Sequence, residues 1–166
     1  MEIKYLKNLI GFTDNTKAGV YKNLSGISET EIITIENKLN IKFPTAYKEF
    51  LFLSGNAGSS FNFGNAIEDD LENAVDWFQE FAQDNIQEFG ESLGRPFWVF
   101  TSLHSCEQFE FFYLDDGDNP PVYAWSMYDA IDKEKHENLP LGVRLFKKSF
   151  SEMVDYFIER HKKGEI

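Results

Sequence analysis

His104 and Cys106 are the side chains that could most readily do chemistry, since a thiol beside an imidazole can act as a nucleophile or bind zinc. They are two positions apart, in the predicted link between adjacent strands, where neighbouring side chains rarely point at each other. A zinc site needs three or four ligands, and His136 and His161 are distant in sequence. We therefore interpret the pair as ordinary strand-end residues, with metal binding and thiol catalysis as minor alternatives.

A second group of candidate ligands is the acidic stretch in which Asp115, Asp116 and Asp118 surround Gly117. Three carboxylates could suggest calcium, but the D-x-D-x-D-G order of a calcium-binding loop is absent. Aspartate and glycine are also favoured in tight turns, so a turn is the preferred interpretation. The sequence also lacks the glycine-rich phosphate-binding motifs and the G-x-S-x-G nucleophile motif. We predict a protein that is not an enzyme and uses no metal or cofactor.

Charge is distributed unevenly along the 166 residues, whose formal net charge is −12. The span from Glu49 to Asp132 holds 17 acids and one base, Arg95, whereas the rest holds 11 acids and 15 bases. Nucleic acids and anionic membranes attract basic surfaces, so neither is a predicted partner. A field of one sign speeds encounters with an oppositely charged protein, so we predict a basic protein partner. The alternative is that the acids only keep the protein in solution.

Many of these acids fall on residues 66–91, whose apolar spacing predicts one long helix, with a break near Asp84 and Asn85 as an alternative. An acid recurs every four positions along it, which keeps the carboxylates on a slowly drifting solvent face. Trp77 lies off the apolar stripe and either anchors a partner or packs under a loop. The predicted partner-binding residues are Glu68, Asp69, Glu72, Asp76, Trp77, Glu80, Asp115, Asp116 and Asp118.

The stretch 27–64 predicts two short helices followed by a strand. Ser28 and Glu31 have the spacing of a capping box, and Asn40 suits the left-handed end of the first helix. Pro44 suits the first turn of the second helix, which is expected to stop at Gly55. Residues 59–63 are then predicted to form a strand.

The remaining chain completes the predicted fold. A short helix is expected over 2–10, strands over 97–103, 108–114, 122–127 and 141–146, a charged loop over 129–140, and a last helix capped by Ser149. These elements indicate one α+β domain over 1–166, with a central, mostly antiparallel sheet of about five strands packed by helices. No secretory signal or membrane span is evident, so a cytoplasmic protein is expected.

The two halves of the chain resemble the SUKH superfamily (Smi/Knr-like), most strongly over 27–160. The matching residues are Ile41, Phe43, Pro44, Tyr47, Phe50, Leu51, Asn56 and Gly58 in the first half, and Pro121, Val122, Tyr123, Trp125, Ser149, Phe150 and Met153 in the second. Two departures stand out. His104–Glu107 replaces the glycine-rich turn of many members, and the 66–91 helix is longer than their usual insertion.

The resemblance implies a function as well as a fold. Many members are bacterial immunity proteins that bind and block the cognate toxins of contact-dependent and polymorphic toxin systems, and many such toxins are nucleases with basic surfaces. It therefore implies an immunity protein whose acidic surface binds a basic toxin domain. The alternative is a regulatory or scaffold domain that binds an endogenous basic partner, as the yeast cell-wall regulators of the superfamily suggest.

Overall fold

The computed structural model describes residues 1–14, 22–55, 71–104, 106–136 and 138–165, with only the backbone for 13–14, 22–23 and 71–77. The contacts divide the chain into two compact units. The first unit comprises Met1–Asn62, Gly117–Pro120 and Ser149–Ile166. The second unit comprises Phe63–Asp116 and Pro121–Lys148. The interpretation of 1–166 as one domain stays a prediction.

Three helices form most of the first unit: α1 (Glu29–Leu39), α2 (Thr45–Ser54) and α5 (Phe150–Lys163). The predicted signals set their ends. Ser28 and Glu31 form a capping box, and Asn40 ends α1 in the left-handed conformation at φ 53°. Gly55 ends α2, and Ser149 caps α5, as predicted.

Aromatic side chains from two helices form the core of the first unit. Tyr47 and Phe50 from α2 lie against Phe150 at the start of α5, with ring centroids 5.5 and 5.9 Å from it. Edge-to-face geometry of this kind adds stabilisation beyond the buried area alone. The F-P-x-x-Y-x-x-F pattern at 43–50 therefore has a packing role, because Phe43, Tyr47 and Phe50 are all buried.

The N-terminal stretch differs from its prediction. Instead of a helix over 2–10, the chain forms a single 3₁₀ turn at Lys7–Leu9 and a two-residue strand, β1 (Thr13–Asp14), which pairs with β2 (Lys22–Asn23). The reason is a competing acceptor. The buried carboxylate of Glu49 takes the backbone N–H groups of Lys4, Tyr5 and Leu6 at 2.8–2.9 Å. Those N–H groups are bonded outside the segment, and only Leu6 and Leu9 of the predicted stripe are buried.

The second unit is a four-stranded antiparallel sheet with two helices. Its strands follow the order β3-β4-β5-β6. They are β3 (Phe97–Leu103), β4 (Gln108–Tyr113), β5 (Val122–Ser126) and β6 (Val143–Lys147), and the helices are α3 (Leu71–Glu88) and α4 (Met127–Ile131). Phe109 of β4, Trp125 of β5 and Val143 of β6 lie in one row across the sheet and are buried.

The α+β class with an antiparallel sheet is confirmed, but the sheet has four strands among the described residues rather than about five. The predicted strand at 59–63 lies outside the described residues. The loop predicted over 129–140 is wrong at its start, where Ser126 caps the short helix α4 by accepting the N–H of Asp129. No helix among the described residues is long and apolar enough to cross a membrane.

The capping box of α1 gives a first stability prediction. The hydroxyl of Ser28 accepts the N–H of Glu31 at 3.2 Å, and the carboxylate of Glu31 accepts the N–H of Ser28 at 2.7 Å. We expect Ser28→Ala to lower the free energy of unfolding by about 1 kcal/mol, because a helix-end donor loses its acceptor. Urea unfolding measures the change, with the exposed Thr30→Ala as control. A loss no larger than the control's would refute this role.

Candidate partner-binding site

Helix α3 is held on the sheet by two kinds of contact. Ala82 and Ile86 are fully buried in the core of the second unit, which is the apolar face that the sequence pattern predicts. The side-chain amide of Gln79 also accepts the N–H of Val99 and donates to its carbonyl, at 2.9 and 3.0 Å. The β3–β4 register shifts between Val99 and Thr101, so Gln79 bonds the backbone where the ladder is irregular.

A second pair of contacts fixes the C-terminal half of the same helix. Asn85 donates to the carbonyl of Cys106 at 2.9 Å, and the ring of Phe89, which follows the helix, lies 6.1 Å from that of Trp125. The alternative of a break near Asp84 and Asn85 is wrong, because α3 is continuous through both residues. Hydrogen bonds and ring packing thus attach α3 to the sheet at Gln79, Asn85 and Phe89.

That outer face displays carboxylates. Glu80, Asp84 and Glu88 are all exposed, and none of them forms an ion pair within the part of the chain that the structure describes. Successive members are four residues apart, so the row spans about 12 Å along the helix and drifts slowly around it. The whole of α3 carries five acids and no base. Its field is therefore uniformly negative.

The other predicted residues of this region are described less fully. Glu72, Asp76 and Trp77 lie on the backbone of α3, whose side chains are described only from Phe78 onward. Glu68 and Asp69 lie outside the described residues. Their part in the docking surface, including the choice between two roles for Trp77, stays a prediction.

Arg95 engages two of the predicted turn residues. Its guanidinium bonds Asp115 at 2.6 Å, contacts the carboxylate of Asp116, and lies 4.2 Å above the ring of Tyr113. The bonds from Arg95 hold the pKa of Asp115 below its usual range. The turn itself is confirmed, because the N–H of Asp116 bonds the carbonyl of Tyr113 and Gly117 adopts φ 85°. One of the two negative charges of Asp115 and Asp116 is thus balanced within the chain.

Asp118 has a structural partner in the first unit. Helix α2 begins after Pro44, which has no side chain that can cap it. The backbone carbonyl of Asp118 supplies an acceptor instead, since it takes the N–H of Ala46 at 2.8 Å, and the carboxylate of Asp118 accepts the hydroxyl of Thr45 at 2.8 Å. Tyr5 raises the pKa of the Lys4 ammonium, and the negative charge of Asp118 contributes a smaller part of this rise.

Comparison with known proteins decides the family. The model of the SMI1/KNR4 family (SUKH-1) matches residues 26–156, which is most of the chain. The chain belongs to the SMI1/KNR4 family. No curated protein and no solved structure matches it. Membership confirms the resemblance drawn from the helix–Pro–helix motif and the second-half strands.

His104 and Cys106 stand in the turn where many members of the family have glycines, and their backbone conformations reflect this position. His104 and Cys106 adopt left-handed backbone conformations, with φ 51° and 64°, which glycine adopts without strain. Cys106 is fully buried, and this burial raises the pKa of its thiol, whereas His104 is exposed. A thiol with a raised pKa is a weak nucleophile. The pair therefore has the features of a tight hairpin turn.

Glu110 is a titratable residue that sequence reasoning did not single out. It lies on β4 between Thr101 of β3 and Ala124 of β5, and Arg144 of β6 follows in the same row. Burial raises the pKa of Glu110 to about 7, and the positive charge of Arg144 opposes part of this shift. An acid between aromatic residues gives no sequence signal of this kind, since the burial depends on strands paired from elsewhere.

The raised pKa of Glu110 predicts how the stability of the protein depends on pH. Because Glu110 holds its proton more tightly in the folded state, stability should fall as pH rises from about 4.5 to about 7. Glutamine does not ionise. Between these two pH values, the free energy of unfolding of Glu110→Gln should therefore decrease by about 1–3 kcal/mol less than that of the wild type. Urea unfolding at a series of pH values checks it, with the exposed Glu134→Gln as control. Parallel pH curves for the wild type and Glu110→Gln would contradict the assignment.

Proposed function

We propose that this protein is an immunity protein that binds and neutralises a cognate bacterial toxin domain, without catalysis of its own and in the cytoplasm. Family membership supports a role in binding a protein partner. The observation that carries the proposal is the exposed row of Glu80, Asp84 and Glu88, which has no internal cation among the described residues. Carboxylates left in water on a rigid helix are available to an incoming cationic surface at little cost in reorganisation.

The predicted docking residues differ in how far the chain itself compensates their negative charge. Arg95 offsets one of the two charges of Asp115 and Asp116, and the carboxylate of Asp118 is engaged by the hydroxyl of Thr45 at the start of α2. The α3 carboxylates thus carry most of the uncompensated charge of the proposed surface. Exposed carboxylates attract a cation chiefly at a distance, so their main effect is on the rate of encounter. The proposed partner is a toxin domain with a basic docking face, as a nuclease has.

Co-expression tests the proposal. The chain would be produced in bacteria together with a candidate toxin domain, namely the C-terminal domain of whichever large secreted protein the neighbourhood of its gene encodes. We expect cells that make both proteins to survive and the two to co-purify, whereas the toxin domain alone should kill. Killing that persists with the folded chain present would refute neutralisation.

The same experiment distinguishes an immunity protein from the alternative, a regulatory or scaffold domain. A regulatory or scaffold domain that binds an endogenous basic protein would not rescue cells from the toxin domain. It would also not need a toxin gene beside its own. Rescue that requires this chain, and that an unrelated acidic protein of similar charge does not give, supports the immunity function.

A further inference from the structure

The short helix α4 displays two large apolar side chains to solvent. Tyr128 is 53% exposed and Ile131 is 59% exposed. They are three residues apart, so they lie on the same side of the helix. Ala130, on the other side, is buried in the core of the second unit.

Several bonds hold this helix in place. The N–H of Met127 bonds the carbonyl of Glu107 at 2.8 Å, and the hydroxyl of Ser126 caps the helix through the N–H of Asp129. The carboxylate of Asp129 is paired with Arg144 at 2.6 Å. Tyr128 donates its hydroxyl to Glu107 at 3.3 Å. The two apolar side chains are therefore presented on a backbone that is already ordered.

Carboxylates without an ion pair outnumber bases without one near the apolar pair, among the described residues. Glu107 touches Tyr128, and the exposed Asp132 and Glu134 follow Ile131 along the chain. The bases nearby are largely engaged, since Arg144 pairs with Asp129 and Lys135 pairs with Glu91. Lys133, which lies between Asp132 and Glu134 in the sequence, is exposed and forms no ion pair among the described residues.

This patch adjoins the C-terminal half of α3. Glu107 follows Cys106 in the β3–β4 turn, and the carbonyl of Cys106 is bonded by Asn85 of α3. Asp84 and Glu88 lie on the same turns of that helix. The β3–β4 turn is thus bonded both to α4, which carries the apolar pair, and to α3, which carries the acidic row.

We propose that Tyr128 and Ile131 form the apolar anchor of the docking surface and that their occupant is a cationic face of the partner that presents an apolar side chain. The inference rests on the proposed function and names the residues that hold the partner after the acids have attracted it. Charge selects this occupant, because the acids around the pair match a cationic surface and repel another copy of a chain with net charge −12. Tyrosine is enriched at interface hot spots because it buries a large area and keeps a polar end.

Binding kinetics distinguish the anchor from the acids. Side chains buried at the centre of an interface govern mainly the dissociation rate, whereas exposed charges govern mainly the association rate. The double variant Tyr128→Ala/Ile131→Ser should therefore raise the dissociation rate constant at least about tenfold. Its association rate constant should stay within about twofold of the wild type.

The experiment measures binding of the full chain to the toxin domain that it neutralises in the co-expression test, purified and catalytically inactivated, by surface plasmon resonance. The matched control is Ile33→Ser/Tyr156→Ala, which removes one isoleucine and one tyrosine that are 50% and 36% exposed in the first unit. Thermal unfolding verifies that both variants fold. Fast dissociation of the α4 variant alone supports the anchor.

Two failures can be told apart. If the wild type binds and the α4 variant dissociates no faster than the control, the anchor is refuted and the proposed function stands. If the wild type itself does not bind or neutralise the toxin domain, the proposed function fails, and the anchor fails with it.

Discussion

Replacing the three exposed carboxylates of α3 with lysine is expected to slow association with the toxin domain by at least about tenfold. The triple variant Glu80→Lys/Asp84→Lys/Glu88→Lys turns an attractive face into a repulsive one. Because steering acts before contact, the loss should appear in the association rate constant more than in the dissociation rate constant. Stopped-flow mixing with the inactivated toxin domain at low salt measures it.

A matched control separates local charge from net charge. Glu2→Lys/Glu159→Lys/Glu165→Lys changes the net charge by the same amount, at three exposed acids of the first unit. The ion pairs lost there, such as Glu159 with Lys162, are exposed pairs of little energetic weight. Equal slowing by both triple variants would show that overall charge, and not the α3 face, governs the encounter.

Loss of the Glu49 carboxylate is expected to have the largest effect on stability. Its side chain is completely buried and accepts three backbone N–H groups, from Lys4, Tyr5 and Leu6. In Glu49→Ala those donors lose their acceptor inside the protein, so we expect the free energy of unfolding to fall by about 3 kcal/mol. Urea unfolding gives the value, and amide hydrogen exchange at residues 4–6 reports the local loss.

Two further variants make the Glu49 prediction specific. Glu49→Gln keeps one acceptor oxygen and the shape of the side chain, so its cost should lie between those of the wild type and Glu49→Ala. The exposed Glu2→Ala should change stability by no more than about 0.5 kcal/mol. A loss below about 1 kcal/mol for Glu49→Ala would mean that water or a backbone shift replaces the carboxylate.

Local sequence signals predicted the helix ends and the hairpin strands well. Ser28, Asn40 and Ser149 act through bonds to residues a few positions away, so their roles are visible in the sequence itself. The strands β3, β4 and β5 were predicted to within one residue at each end, because aromatic and β-branched residues fill them and turn residues separate them.

Roles that depend on distant partners were not predicted. Glu49 has the local pattern of an ordinary helix residue, yet the groups that it binds are 43–45 positions away in sequence. Asp118 and Thr45 are 73 positions apart. Such pairs carry no local signal, because the chain fold alone brings them together. The charge count from the sequence therefore overestimated the number of carboxylates available to a partner, because it could not show which carboxylates are bonded within the chain.

The candidate site was predicted in part for the same reason. The acidic row of α3 follows from helical periodicity, which places Glu80, Asp84 and Glu88 opposite Ala82 and Ile86. The pairing of Arg95 with the turn aspartates was not predicted, nor was the exposed pair on α4. Ile131 lies in the loop predicted over 129–140 and Tyr128 directly precedes that loop, so the face that they share is visible only in the structure of α4.

The salt dependence of the wild-type association rate tests the central claim most directly. The rate constant for binding the inactivated toxin domain would be measured from about 50 mM to about 500 mM NaCl, a range over which screening removes long-range attraction between exposed charges. Docking through the acidic face of α3 predicts a fall of at least about tenfold across that range. A rate constant that stays level over the whole range would contradict electrostatic docking.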